Sequence, residues 1–339
     1  MVFQIENRRY VGSKSKLCKW IDEKLNSECP GCSSFFDVFA GTGAVTQSLM
    51  NAYDTFYIND FLYSNRVIYK GFFLDLPYDQ DRLIKVREYY NSLDVSNIED
   101  NYVSINYGDK YFSADDAKVI GFIGQDIEDR YNGNGISEKE YYILLSSLIY
   151  SLDRAANTVG HYDAYIKGKG VRNVFSFELV RPYDVTGKTI KIYRMDSNEL
   201  AKSISCDIAF LDPPYNRRQY SRFYHLLETI VKWDKPELRG VAMKPAEENM
   251  SEYCRAGAAA AFDELVQSLQ TKYIAVTYNN TYKSKSTSSQ NKITLEQIRE
   301  SLNRRGSTQI FEKPYRFFYA GKTEFDDHKE LLFITRVGK

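Results

Sequence analysis

The feature that most limits what this chain can fold into is the short apolar run 34–39 (SFFDVF), closed by Gly41 and Gly43 and followed by the helical-looking segment 44–50. A run this short and this aromatic reads as a buried strand, and two glycines at its end permit a sharp turn into a helix. Residues 55–59 (TFYIN) read as the next strand. Strand, helix, strand is the opening of a doubly wound α/β sheet, whose parallel strands are joined by right-handed crossovers. Ahead of it, Leu17, Trp20, Ile21 and Leu25 recur at helical spacing, with Ser13 or Ser15 placed to cap that helix.

The same rhythm returns late in the chain. Strands are expected at 188–195, 207–211, 273–278, 310–319 and 331–336, and helices at 223–231 and 262–269. Between these two blocks the pattern turns helix-like and polar, with an Asn/Gly cluster at 131–135 and a strong helical stretch at 141–156. The expectation is one α/β domain built from 1–75 and 186–339, interrupted by a mainly helical inserted domain at 76–185. Its length, 339 residues, leaves room for two such units.

Composition narrows the class of function. Lys+Arg and Asp+Glu both total 45, so the chain has no bulk charge with which to capture a polyanion, although a local basic face remains open. Hydrophobic residues make up 43%, which excludes a mainly disordered chain. No run of about 18 apolar residues exists to span a membrane. The N-terminal stretch MVFQIENRRYVGSK lacks the apolar core of a signal peptide. Five cysteines are odd and sparse, as suits a reducing cytoplasm. Cys29 and Cys32 have CxxC spacing but no second pair, and they precede a strand, so they read as loop cysteines. His161, His225 and His328 form no triad or ligand pattern, and no metal is expected.

Two segments carry chemistry. In Asp37-Val38-Phe39-Ala40-Gly41-Thr42-Gly43, the glycines let a ligand approach bare backbone. Asp60 ends the next strand, where a carboxylate can accept hydrogen bonds from ribose hydroxyls. Thr46 stands where a dinucleotide fingerprint has its third glycine, so a nucleoside-carrying ligand other than NAD fits better. The second segment is Asp212-Pro213-Pro214-Tyr215, directly after the apolar strand 207–211. Two prolines fix a rigid loop at the strand's carboxyl end, where open α/β sheets bind ligands. Asp212 and the Pro213 carbonyl can each accept one N–H of an exocyclic amine, and Tyr215 can stack on its ring, worth about 1–3 kcal/mol. An amine held so favours a pyramidal nitrogen whose lone pair can attack a methyl carbon in line.

Taken in order, these segments resemble the Dam-like amino-methyltransferases, the S-adenosylmethionine-dependent DNA adenine-N6 methyltransferases. Arg9-Tyr10-Val11-Gly12-Ser13-Lys14 is similar to the family's N-terminal cofactor motif, 39–43 to its FxGxG loop, and Asn59-Asp60 to its ribose-binding acidic motif. Asp196, with Ser197, matches the acidic residue that reads the cofactor's adenine. Asp212 to Tyr215 is similar to DPPY, and 278–280, 315–318 and 330–333 to the closing core segments. Residues 156–165 (ANTVGHYDAY) and 216–220 resemble segments of a restriction–modification subset. The resemblance implies a Rossmann-like methyltransferase sheet, mostly parallel with an antiparallel C-terminal hairpin. It implies S-adenosylmethionine as cofactor, held by Tyr10, Gly12, Lys14, Asp37, Phe39, Gly41, Gly43, Asp60, Asp196 and Ser197. It also implies Asp212, Pro213, Pro214 and Tyr215 as the catalytic group.

A duplex hides the adenine amine in the stack, so the base must be flipped out, at a cost of a few kcal/mol. Double-stranded DNA is the expected partner, with a cognate restriction endonuclease acting separately. Phosphate contacts are expected from Arg217 and Arg218 beside the pocket, Lys167, Lys169 and Arg172 in the insert, Lys283 and Lys285, and Arg304-Arg305. The helical insert is the expected target-recognition element. Rival readings are the same chemistry on cytosine-N4, RNA adenine or a glutamine amide, a catalytically silent DNA-binding module, and an NAD oxidoreductase.

Overall fold

A computed structural model describes residues 2–168, 170–214, 216–280, 292–314 and 329–338. Their packing separates into two compact units, one comprising Met1–Ser13, Leu62–Thr186 and Ser221–Glu248, the other Lys14–Phe61, Gly187–Tyr220 and Asn249–Lys339.

The second unit holds the sheet. Its strands are β1 (Ser34–Asp37), β2 (Thr55–Asn59), β3 (Thr189–Tyr193), β4 (Ser205–Leu211), β5 (Gln270–Asn279), β6 (Gly306–Pro314) and β7 (Lys329–Val337), in the spatial order β3-β2-β1-β4-β5-β7-β6. The first five in that order are mutually parallel, and β7 and β6 close the edge antiparallel. The expected α/β sheet with its antiparallel C-terminal hairpin is therefore present. The central strands are apolar because both of their faces are covered. On one face Phe36, Val38, Ala209, Leu211, Ile274 and Val276 pack with Phe262, Leu265 and Val266 of the helix Ala258–Ser268 and with Ile298 and Leu302 of Leu295–Asn303. Phe35, one residue out of phase, stacks instead on Tyr53 and Phe210.

Chain order reverses between β1 and β4. The sheet grows from β1 through β2 to β3 on one side, then returns to place β4 on the other. Such a reversal opens a crevice at the carboxyl ends of the two strands, the usual ligand position in open α/β sheets.

The first unit is helical, with Tyr63–Phe73, Gln80–Asn91, Tyr102–Tyr107, Ala114–Asn132, Glu138–Ala155 and His225–Lys232. Ser113 caps one helix and Ser137 closes a capping box with Glu140 on another, so both starts are written in short polar side chains. Glu138–Ala155 is buried on nearly every side and forms the centre. The unit draws on more chain than the single stretch 76–185 read from sequence. One reason is Gly71: a methyl group there would stand 2.2 Å from the Ser146 hydroxyl, so the helix Tyr63–Phe73 lies close against Glu138–Ala155. No helix occurs in residues 156–186 among those described, so that part of the expected helical insert is irregular.

Two further sequence readings give way. Neither Ser13 nor Ser15 is the cap residue of the first helix; a single 3₁₀ turn, Ser15–Leu17, leads into Cys18–Glu28, whose cap position is held by Leu17. Arg304 and Arg305, read as phosphate contacts, are occupied within the fold. Arg304 pairs with Asp263, and Arg305 donates to the carbonyls of Val266 (3.1 Å), Gln267 and Leu269 (2.7 Å), closing the end of Ala258–Ser268. That helix end feeds the start of β5 (Gln270–Asn279), roughly 30 Å from its carboxyl end at about 3.3 Å per residue. Arg305→Ala is expected to lower unfolding stability by about 1–2 kcal/mol while leaving DNA affinity unchanged, measured by denaturant unfolding alongside a DNA-binding titration.

Candidate active site

The turn after β1 is built from backbone. Gly41 and Gly43 both have positive φ, 54° and 76°, which side-chain-bearing residues rarely adopt, and Gly43 opens the helix Ala44–Ser48. The amide of Gly43 donates to the Ala40 carbonyl (2.7 Å), which tightens the bend. Asp60, at the end of β2 and 9% exposed, accepts the Gly41 amide on Oδ2 (2.9 Å). The glycine loop and the acidic residue that sequence reading paired thus touch directly.

Asp37 lies beneath this turn, fully buried, and accepts the Thr46 hydroxyl on Oδ2 (2.7 Å). Burial pushes its carboxyl from the ordinary 3.8 up to about 7; the Thr46 bond opposes this, and the negative charges of Asp212 and Asp60 add to it. Phe39 packs edge-on against Tyr253 with ring centroids 4.9 Å apart. On the other flank, the Asn59 amide donates to the carbonyls of Val38 and Met195 (both 3.2 Å) and accepts the Met195 amide (3.0 Å). It ties the ends of β1 and β2 to the turn after β3. Ser197 joins the same knot through the Val38 carbonyl (3.3 Å). Asp196, exposed, caps Ser197–Ala201 by accepting the amides of Asn198 (2.9 Å) and Glu199 (3.3 Å).

Asp212 follows β4 directly. Parallel pairing puts Leu211 beside Val276, so the next residue along β5, Thr277, comes beside Asp212. The Thr277 hydroxyl donates to Asp212 Oδ1 (2.9 Å), and the Lys14 ammonium, 3.0 Å away, meets the same oxygen. Lys14 and Thr277 are almost wholly buried. The Asp212 side chain keeps 16% exposure and so still faces solvent in part. Lys14, assigned by resemblance to the cofactor, therefore has the DPPY carboxylate as partner. Pro213 is buried and Pro214 half-buried, while Tyr215 lies outside the described residues.

Arg217 is exposed and Arg218 half-buried, in a turn where the Arg218 amide donates to Asn216 Oδ1 (3.0 Å). Lys167 and Arg172 belong to the helical unit and are exposed; Lys169, Lys283 and Lys285 lie outside the described residues. Tyr10 and Gly12 also belong to the helical unit. There Tyr10 stacks on Tyr224 at 4.6 Å, and Arg8 lies over both rings while pairing with Asp153 (3.5 Å) and donating to Asn65 (2.6 Å). Within the segment 156–165, Tyr162 donates its hydroxyl to Asp153, and Asn157 and Ile166 close a loop on each other. His161 stacks on Phe223 and His225 bonds the Tyr162 carbonyl. Cys29 is buried and burial raises both thiols of the CxxC pair, which makes them poor nucleophiles. No cluster of metal-ligating side chains exists among the described residues.

Sequence reading named Thr46 and Asn59 but gave neither its bonding role, and it missed Thr277. For Thr277 a signal existed: it stands near the end of an apolar strand, as Asp212 does, and strand order alone makes the two ends neighbours.

A five-strand parallel core with a reversed hairpin edge, a glycine bend after β1, an acid after β2 and an acid-diproline corner after β4 define a Rossmann-like methyltransferase unit. Residues 10–290 match the model of the D12 class N6 adenine-specific DNA methyltransferases, and the chain belongs to that family. It is 30% identical over 332 residues to Type II methyltransferase M.NlaIII of Neisseria lactamica, covering 94% of this chain and 95% of that protein. Modification methylase StsI of Streptococcus sanguinis is 34% identical over 289 residues, covering 80% of this chain and 44% of that protein. Type II methyltransferase M.FokI of Planomicrobium okeanokoites is 30% identical over 346 residues, covering 96% of this chain and 52% of that protein. The chain thus spans about half the length of the last two.

Asp37 makes folding depend on pH. Its folded value, about 7, lies above the ordinary 3.8, so the unfolded chain loses this proton first as pH rises. Stability falls between about pH 4 and 7, and the loss is complete above that window. Asp37→Asn keeps an acceptor for Thr46 and removes the loss. Compared with the unsubstituted protein it is expected to gain on the order of a few kcal/mol more at pH 8 than at pH 5, read by unfolding at the two pH values.

Proposed function

We propose that this protein is a site-specific DNA methyltransferase that modifies the N6 amine of an adenine flipped out of the duplex, with S-adenosylmethionine as methyl donor, as the modification half of a restriction–modification system. The observation that carries this reading is the placement of Asp212 at the switch point of the sheet, next to the glycine bend.

The residues present suit that cofactor. Three carboxylates, Asp37, Asp60 and Asp212, gather at neighbouring strand ends with Lys14 as their cation. Such a site favours a ligand bearing a sulfonium and an ammonium. Asp60 is the acceptor for ribose hydroxyls, the bare backbone at Gly41 and Gly43 takes the methionine side, and Asp196 with Ser197 takes the adenine. S-adenosylmethionine, when bound, supplies a methyl group on a sulfonium, an electrophile strong enough to need no metal and no covalent enzyme intermediate. The protein contributes alignment and electrostatics. Asp212 and the Pro213 carbonyl accept the two N–H bonds of the target amine, and Tyr215 stacks on the extruded ring, offsetting part of the flipping cost. Asp212, paired with Lys14, acts as an orienting acceptor, and the surplus proton leaves to water.

DNA binding is assigned to Arg217 and Arg218 at the rim, with Lys167, Lys169 and Lys283 as further phosphate contacts, and base reading to the helical unit. The modification role is favoured by M.NlaIII, similar over nearly its whole length, and by StsI, a modification methylase. A cytoplasmic location fits five unbridged cysteines. A separate restriction endonuclease would complete the system.

The test uses the whole chain with methyl-labelled S-adenosylmethionine and mixed-sequence duplex DNA, followed by nucleoside analysis. Label is expected on N6 of adenine. Asp212→Ala is expected to lower transfer at least about 100-fold while cofactor affinity stays within a few-fold. Label on cytosine, or on RNA alone, overturns the reading.

A further inference from the structure

We propose that Thr277 is a positioning residue for methyl transfer, acting through Asp212; the inference rests on the role just given to that carboxylate. An aspartate's terminal torsion is soft, with a broad and nearly two-fold energy profile, so a carboxylate at a strand end does not hold one orientation unaided. Here Thr277 and Lys14 donate to the same oxygen, Oδ1, at 2.9 and 3.0 Å. The two donors arrive from different elements. Thr277 comes from the neighbouring strand, in register with the end of β4, and Lys14 from the turn ahead of the first helix. A planar carboxylate pinned at one oxygen has its second oxygen set as well. In the role given to Asp212 above, that second oxygen is the one that accepts an amine hydrogen.

The two donors differ in kind. Lys14 supplies charge, and its long side chain can follow the carboxylate through small rotations. Thr277 is β-branched, restricted at χ1 and 1% exposed, so its hydroxyl has little freedom to follow. The hydroxyl therefore sets direction, and the ammonium pairs the charge. Directional control is felt in the transition state, where the amine nitrogen becomes pyramidal and its hydrogens must meet their acceptors. Removing it lowers the rate of transfer more than it weakens binding of either ligand.

Thr277→Val keeps the shape and removes the donor; Thr277→Ser keeps the donor. In the full chain, with S-adenosylmethionine and duplex DNA, Thr277→Val is expected to lower kcat about 10- to 100-fold, with KM for DNA changed less than about 3-fold. Calorimetric affinity for the cofactor and the melting temperature are expected to stay near those of the unsubstituted protein. Thr277→Ser is expected to restore kcat to within about 3-fold, and Thr277→Ala, smaller than Val, reads the same loss if the valine does not pack. Val at full kcat alongside an inactive Asp212→Asn overturns this inference alone. Asp212→Asn at full kcat overturns the reading of the carboxylate, and this inference with it. Loss of kcat in Val that Ser does not restore, or that comes with an equal loss of affinity for cofactor or DNA, assigns Thr277 a packing role only and overturns the inference.

Discussion

A carboxylate at the end of a buried strand, mostly withdrawn from water, needs donors, and the rest of the site follows from how those donors reach Asp212. One comes from β5 because the parallel register carries Thr277 to the same height. The other comes from Lys14, delivered by the turn ahead of the first helix. The reversal of chain order between β1 and β4 sets the end of β4, and so the acid, beside the end of β1, where the glycine bend begins. Charge, strand order and register are thus one constraint seen at three levels.

Charge also explains why the site is poised for a cation. Asp37 is buried with the hydroxyl and the backbone amide of Thr46 supporting its charge, and the carboxylates on the flanking strands push its proton affinity up further. A protein that places three acids at adjacent strand ends accepts a cost in stability near neutral pH. A positively charged ligand placed among these carboxylates would relieve that cost. Functional sites tend to carry such locally unfavourable arrangements, offset by packing elsewhere; here that packing is the apolar layer over β1, β4 and β5.

Much of this was legible in the chain itself, for reasons that can be named. The strand Ser34–Asp37 was legible within the run 34–39 because glycines follow it and aromatics fill it, and the acid-diproline corner because two prolines exclude helix and strand alike. Asp60 was legible from its place at the next strand's end. What escaped depends on neighbours distant in sequence. Thr277 and Asn59 are ordinary polar residues until strand order sets them against Asp212 and Met195. Arg304-Arg305 misled for the opposite reason: a basic pair looks the same whether it faces solvent or closes a helix end, and only the carbonyls at 266–269 decide. The extent of the helical unit was misjudged because Tyr63–Phe73 follows the α/β rhythm in sequence yet packs on Glu138–Ala155 through Gly71.

The central claim is that the carboxyl ends of β1, β2 and β4 share one cofactor. A crystal structure of the protein with S-adenosylhomocysteine, the methyl-depleted product, tests it most directly. The expected result is density over the bend at Gly41 and Gly43, ribose hydroxyls on the Asp60 carboxylate, and the sulfur on the side of Asp212. Ligand bound away from those three strand ends, with the glycine bend bare, would contradict the account.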